Sequence, residues 1–334
     1  MLHDAVTIAV DAMGGDSGLA VTVPAVLEAV AASPGLRVIL VGDQSAIEEE
    51  RVRCKAVFPD QVEVRHATEV IGMTDQPSTV LRTKKDSSMR VAVELVRDGV
   101  ARACVSAGNT GALMAISRLV LKTFPTIDRP AIISALPVGR GITYMLDLGA
   151  NVDCNSEQLY QFALMGSVLA KQLSDVALPR VALLNIGEEQ IKGNDQVKLA
   201  NELLKACDDI NYIGYLEGND IFSGRADVVV CDGFVGNVAL KTSEGLADHI
   251  SGILNVELKR NLLSRLVALV AAPVLRRIGA RLDPERYNGA SFIGLKGVVV
   301  KSHGSAGVSG FVRAMELAAK EARLDIPAVI ENNV

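Results

Sequence analysis

The sequence predicts an α/β protein, a three-layer sandwich on a mostly parallel sheet, with a protruding amphipathic helical hairpin. Three observations carry that prediction. Apolar strand-like runs alternate with helical patterns along almost all of the 334 residues, which reads as βαβ units with right-handed crossovers and helices on both faces. Six strand-like runs end in glycine- and amide-rich turns, as expected where parallel strands open toward a ligand. No repeat, low-complexity tract or Pro/Gly/Ser linker divides the chain. Residues 1–334 therefore read as a single domain, with the hairpin at about 255–282 as an insertion.

The run at 7–10 leads into Asp11-Ala-Met-Gly-Gly-Asp16. There Gly14 and Gly15 can present N–H groups to a phosphate, and Asp16 can cap the next helix; a plain βα turn explains the same residues equally well. The run at 38–41 leads through Gly42 and Asp43 to a charged helical stretch over 48–53. The run at 103–105 meets Ser106-Ala-Gly-Asn-Thr-Gly111, then an apolar helix through Leu121. Ser106, Gly108, Asn109 and Thr110 concentrate donors suited to an oxyanion or a phosphate.

The run at 144–146 precedes Asp147-Leu-Gly-Ala-Asn151 and a helix over about 156–173. Asn151 offers a further amide, and Asp147 suits orienting its neighbours. After the run at 182–184 come Asn185-Ile-Gly-Glu-Glu189 and a loop with Lys192 and Gly193. Lys192 can neutralise phosphate as a mobile point charge, held by Glu188 and Glu189, or it is simply solvated. The run at 228–230 precedes Asp232-Gly-Phe-Val-Gly-Asn237 and a helix over about 237–254, on which Asn237 and Lys241 share a face. The run at 298–300 ends in Lys301-Ser-His-Gly-Ser305 before a helix over about 306–323. His303 has surroundings that suit phosphate binding or proton transfer near neutral pH; His3, His66 and His249 read as bystanders. With all six turns on one sheet edge, the expected site takes a small phosphate-like anion.

One stretch breaks the rhythm. Leu258, Leu262, Leu266, Val270, Val274, Ile278 and Leu282 recur at steps of four, with Pro273 expected to split the span into two short helices. Lys259, Arg260, Arg265, Arg276, Arg277 and Arg281 stand against one acid, Glu257, a net +5 in a chain of net −5, so the remainder carries −10. The unbroken apolar run from Leu266 to Leu275 is ten residues, well short of the roughly 20 that span a bilayer. The hairpin fits contact with an anionic membrane surface, an acidic partner or a dimer mate, or ordinary packing within the fold.

Composition excludes several classes. At 49% apolar and 22% charged the chain is in the globular range. Its negative charge, absence of Trp and few aromatics argue against nucleic-acid binding. Cys54, Cys104, Cys154, Cys207 and Cys231 never take CxxC spacing and read as buried thiols in a reducing compartment. The first strand begins within a few residues of Met1, which leaves no room for a signal peptide and points to the cytoplasm. No GxxxxGK[ST], HExxH, GxSxG or clean GxGxxG is present. Nothing calls for a metal or a cofactor.

Together, DAMGGD, SAGNTGA, DLGAN, NIGEE followed by KG, GFVGNVALK and KSHGSA, in this order over nearly the whole chain, resemble the bacterial phosphate acyltransferases of phospholipid synthesis. The stretch after Ala306 departs from that pattern. The resemblance implies acyl transfer from acyl carrier protein to inorganic phosphate. It also implies an isopropylmalate dehydrogenase-like and phosphotransacetylase-like fold, a homodimer, peripheral membrane contact, and a downstream glycerol-phosphate acyltransferase as partner. Under it, Gly14, Gly15, Asn109 and Thr110 hold phosphate with Lys192 supplying charge, beside Asp11, Asp16, Ser106, Gly108, Asn151 and Lys241. His303, Asn185 and Asn237 serve the oxyanion or the departing sulfur, and Arg260, Arg265, Leu266, Arg276, Arg277 and Arg281 meet carrier protein or membrane. Coenzyme A as donor, a metal-dependent dehydrogenase and a non-catalytic membrane-resting scaffold are the competing readings.

Overall fold

The computed structural model describes residues 5–139, 141–174, 176–282 and 284–334. The first half alternates as expected: β1 (Val6–Asp11), α1 (Leu19–Ala32), β2 (Leu36–Gly42), α2 (Gln44–Arg53), β3 (Val62–His66), α3 (Pro77–Thr83), α4 (Ser88–Arg97), β4 (Ala103–Ser106) and α5 (Thr110–Leu121). Two consecutive strands follow, β5 (Ala131–Pro137) and β6 (Ile142–Leu146), then α6 (Ser156–Ser174), β7 (Arg180–Asn185), α7 (Asp195–Lys205), β8 (Asn211–Glu217) and β9 (Val228–Val230). The chain closes with α8 (Gly233–Lys259), α9 (Leu262–Leu282), β10 (Ala290–Ile293), β11 (Val298–Lys301), α10 (Val308–Arg323) and α11 (Ile326–Glu331).

The strands form one sheet in the order β3-β2-β1-β4-β11-β10-β5-β6-β9-β7-β8. Alternation of side chains along each strand sorts the core into layers. Ile8 and Val10 pack with α1 and α10 on one face, and Tyr144 and Leu146 with α6 and α7 farther along it. Ala9, Cys104, Met145 and Val229 face the other side, where one continuous apolar layer takes in α4 and α5 and reaches Ala239 and Leu240 of α8. The three-layer sandwich is therefore as expected. Cys104, Cys154 and Cys231 are buried, whereas Cys54 is exposed.

The sheet is mostly parallel, as expected, with an antiparallel stretch at its centre. Every pairing within β3-β2-β1-β4-β11 and within β6-β9-β7-β8 is parallel. Between them, β11 to β10, β10 to β5 and β5 to β6 are all antiparallel. Three reversals make the two parallel groups run in opposite directions. The register is staggered, however: Ser106 and Lys301, the ends of β4 and β11, lie in the same row as Met145 and Val229, one residue short of the ends of β6 and β9. The two sets of turns therefore point in opposite directions from one level of the sheet.

Two helix expectations also change. The helix after Asp232 starts at Gly233, not near 237, because the Asp232 carboxylate caps it by accepting the Val235 N–H at 2.8 Å. Pro273 does not split α9, which runs through it. Proline deprives the carbonyl four residues back of its partner; that residue, Leu269, is 72% exposed, so water can replace the lost donor. The two helices contact each other, and no described side chain from 237 to 277 is buried. Leu246, Ile250, Ile253, Leu262, Leu263 and Val270 are all exposed. No helix among the described residues is long and apolar enough to cross a membrane.

Glu321 of α10 is a buried carboxyl that accepts the Ser291 hydroxyl, and burial pushes its pKa up to about 7. A raised value favours the protonated native state. That contribution is complete below the unfolded pKa near 4.5 and lost as pH rises through 7. Glu321→Gln removes the buried charge and keeps a hydrogen-bonding partner for Ser291. It should leave stability at pH 4 nearly unchanged and raise it at pH 8 by about 3 kcal/mol; thermal unfolding at the two pH values checks this.

Candidate active site

The turns after β1, β4 and β11 are packed on one another by their small residues. Asp11 lies beneath them, 1% exposed, accepting from the hydroxyls of Ser88 at 2.6 Å and Ser106 at 2.7 Å. The N–H groups of Met13 and Gly14 also point at it. Burial outweighs these bonds and raises its pKa. A methyl group on Gly14 would come within 2.7 Å of the Gly108 nitrogen. One on Gly15, at φ +95°, would meet Ala107 Cβ at 2.9 Å. These glycines permit turn-to-turn contact, and the Asp16 N–H completes it by donating to Gly304 O at 2.9 Å.

Several expected phosphate ligands are thereby committed elsewhere. The Asp11 and Ser106 side chains face inward, and Ser106 Oγ accepts the Gly108 N–H at 3.0 Å. Asp16 does not cap α1; the cap is Gly18, with no side-chain bond. Asn109 caps α5 by accepting the Ala112 N–H at 3.0 Å, while its Nδ2 donates to Met73 O at 2.7 Å and Asp75 O at 3.1 Å. Both ends of that amide are in use.

In the turn after β6 Asp147 does the same work. Its carboxylate accepts N–H groups from Ile132, Gly149, Ala150 and Asn151 at 2.7–3.2 Å, and the Asn151 amide at 3.0 Å. Asn151 is buried and donates also to Pro130 O, so it builds this turn and faces no solvent. Asn185 Nδ2 bonds Gly187 O at 3.0 Å and Lys192 O at 3.2 Å, shaping the loop that carries Lys192. Lys192 pairs loosely with Glu189 at 3.9 Å, and Glu188 bonds Arg225 instead. Gly14, Asn109 and His303 lie on the three turns packed together after β1, β4 and β11, and Lys192 on the loop after β7.

What the fold builds is a groove between the two halves. A cavity of about 420 Å³ is lined on one side by the face of α5 carrying Thr110, Gly111, Met114, Ala115 and Arg118. Ile132, the Leu148–Gly149–Ala150 turn and Asn237 line the other. Thr110 and Gly111 are the first residues of α5. There the helix has N–H groups without intrahelical partners and a positive dipole end, which favour an anion. Arg118 lies two turns farther along the same face, about 12 Å by helix rise, and has no ion pair among the described residues. Asn237 donates to Leu148 O at 3.1 Å, leaving its carbonyl oxygen and second N–H for the cavity.

One helical turn beyond Asn237, Lys241 reaches the β11 turn. Its Nζ lies 3.4 Å from His303 Nε2 and 2.8 Å from Glu244. His303 Nδ1 is 2.9 Å from Ser305 Oγ. Partial burial and then the Lys241 cation hold the imidazole below its ordinary pKa against the pull of Glu244, with smaller opposing effects from Lys301 and Asp16. Lys301 is buried beneath this turn, with its Nζ donating to Ala107 O at 3.1 Å and to Ser302 O. Burial lowers its pKa to about 8, against the pull of Asp11 and Asp16.

Of the expected set, the structure puts Thr110 and Asn237 on one cavity and Lys241 against His303. Arg118 was missed because a basic residue in a helix's last turn reads as dipole compensation. Arg260 pairs with Glu257 at 3.3 Å, and Arg265 Nε donates to Lys259 O at 3.3 Å. Leu266, Arg276 and Arg277 are exposed; the side chain of Arg281 lies outside the described residues.

A family model described as "Fatty acid synthesis protein" matches residues 6–328. The chain is 59% identical over 320 residues to a phosphate acyltransferase of Pseudomonas savastanoi pv. phaseolicola, covering 96% of this chain and 94% of that one. It is 55% identical over 333 residues to that of Alkalilimnicola ehrlichii, covering 100% and 97%. Among solved structures, a phosphotransacetylase from Streptococcus pyogenes superposes with a TM-score of 0.65 at 16% identity, covering 96% and 94%. A branched-chain phosphotransacylase from Enterococcus faecalis does so at 0.57 and 15%, covering 95% and 99%. At these identities the structural likeness speaks for the fold alone.

Proposed function

The chain belongs to the fatty acid synthesis protein family, and on that premise we propose that it transfers a fatty acyl group from acyl carrier protein to inorganic phosphate in the α5–α8 groove. Relatives at 52–59% identity over nearly full length carry the acyl transfer to phosphate. What supports the assignment to this groove is a cavity that brings the start of α5, at Thr110 and Gly111, against Asn237 of α8, one helical turn before the Lys241–His303 pair.

The chemistry suits such a site. A thioester carbonyl is electrophilic, and its thiolate leaves readily because an ordinary thiol has a pKa of about 8.5. Hydrogen phosphate is already an anion, so no covalent enzyme intermediate is needed. Its oxygen attacks the carbonyl, the new C–O bond forms, and the C–S bond breaks with its electron pair passing to sulfur. The phosphate proton goes to His303 Nε2, neutral at the outset, and is returned to the thiolate. Thr110 and Gly111 N–H groups and Lys241 hold the anion, and Asn237 stabilises the oxyanion. Arg118, at the other end of the groove, meets the phosphodiester of the donor's arm. The basic, apolar-faced α8–α9 pair, on which Arg260, Arg265, Arg276 and Arg277 lie, receives the acidic carrier or rests on an anionic membrane surface, in a cytoplasmic homodimer. The roles first given to Lys192 and Asn185 shrink to shaping the loop after β7.

Incubation with acylated carrier protein and phosphate should release carrier thiol and form acyl phosphate in equal amounts; thiol release independent of phosphate, or none, would overturn the assignment. Acyl coenzyme A in place of the carrier protein separates the competing donor. In the same assay Arg118→Ala should raise KM for the carrier substrate about tenfold, the loss of one charge-assisted bond, with kcat little changed.

A further inference from the structure

The segment returning from α9 to the sheet grips the His303 turn directly. Asn288 lies two residues before β10, between Tyr287 and Gly289. Its Oδ1 accepts the His303 backbone N–H at 2.9 Å, and its Nδ2 donates to Ser302 Oγ at 2.8 Å and to Gly310 O at 2.8 Å. One amide thus joins both residues of the turn to the first turn of α10. Three residues earlier, Glu285 accepts the Gly307 N–H at 2.8 Å and the Ser309 hydroxyl, holding the start of that helix from the same side. From the outgoing helix, Lys241 meets His303 Nε2. His303 therefore sits where the helical pair leaves the sheet and where it returns.

We propose that Asn288 is a positioning residue for His303. By holding the His303 backbone N–H and the Ser302 hydroxyl it sets the direction of the imidazole, so that Nδ1 faces Ser305 and Nε2 faces Lys241. Fixing an imidazole through its own backbone matters because proton transfer tolerates little misplacement, and a shift of about 1 Å can reduce rate by orders of magnitude. The assignment rests on the reading of His303 as the group that moves the proton. It gives the sequence around 284–288, which carries no motif, a part in the reaction.

The test is a double-mutant cycle with Asn288→Ala and His303→Ala, read as kcat, KM for phosphate and thermal midpoint. Asn288→Ala should lower kcat at least tenfold with KM for phosphate within about twofold. It should add no further loss in the His303→Ala background, because residues acting as one unit are non-additive. Equal losses in both backgrounds, or an unchanged kcat in the single variant, would overturn it. Asn288→Asp keeps the acceptor for the His303 N–H and loses the two donated bonds. It should retain more activity than the alanine variant, and it replaces that variant in the cycle, under the same criteria, if the alanine protein does not fold. Wild-type kcat in His303→Ala would remove His303 from the mechanism and this inference with it, while continued acyl phosphate formation would leave the reaction itself standing.

Discussion

Gly236→Ala is expected to destabilise the protein by more than about 3 kcal/mol, at the top of the range for overpacking, or to prevent folding. A Cβ at this position would lie 1.9 Å from Asp147 O and 3.0 Å from Cys231 Sγ. Neither neighbour can easily give way. Asp147 is buried with its carboxylate accepting four backbone N–H groups, and Cys231 N–H donates to Leu146 O at 2.7 Å within the adjoining strand ends. Intrinsic helix propensity pushes the other way, since alanine is better than glycine in a helix interior by about 1 kcal/mol. Gly245 of the same helix isolates that term: nothing lies within 4 Å of its Cβ position. Gly245→Ala should stabilise by about 0.5–1 kcal/mol. Denaturant midpoints of the two variants measure both effects. Equal stability would mean that α8 does not press on the Asp147 turn, and the Asn237 wall of the groove would go with it.

His303→Ala is expected to lower kcat by about 10²–10⁴, the usual worth of a positioned acid–base group, with thermal stability nearly retained because the side chain is only partly buried. The pH dependence gives a finer test. Partial burial and then Lys241 depress the imidazole pKa, so the neutral form persists below pH 6.5, and kcat/KM should fall only on the acid side of that value. Lys241→Met removes one of the two largest causes and should move the acid limb upward, toward the ordinary value. Stability follows the same sign. Between the depressed value and 6.5 the unfolded chain binds the proton more readily than the native one. Stability is therefore greatest above 6.5 and declines as pH falls through the window. An acid limb that stays in place in Lys241→Met would sever the Lys241–His303 contact from the chemistry.

How much of this could be read in advance depends on whether the determining contact is local. The units at 7–11, 103–106 and 228–230 declared themselves because strand periodicity, glycine and the following helix lie within a dozen residues. Asp232 signalled its helix start for the same reason, and was underused. The amides misled. Asn109, Asn151 and Asn185 carry the right groups for an anion. Which partner each takes, however, is decided by carbonyls elsewhere: Met73 for Asn109, Pro130 for Asn151, and the loop's own Lys192 for Asn185. Nothing in the order of residues marks those carbonyls.

The amino-acid order on its own determined the α/β class, the positions of the six turns, and, through six motifs in series, the family and its acyl transfer to phosphate. Only the tertiary structure decided where these parts face. Antiparallel pairings through β5 and β10 reverse the sheet, so that the two sets of three turns point in opposite directions from one level. The groove with Thr110, Arg118 and Asn237 then arises between helices far apart in the chain, and the Lys241–His303 contact one helical turn beyond it. Strand direction is a property of pairings between distant segments, and hydrogen bonds between such segments leave no periodic trace in either one. That is why the chemistry could be read one turn at a time while the place where it converges could not.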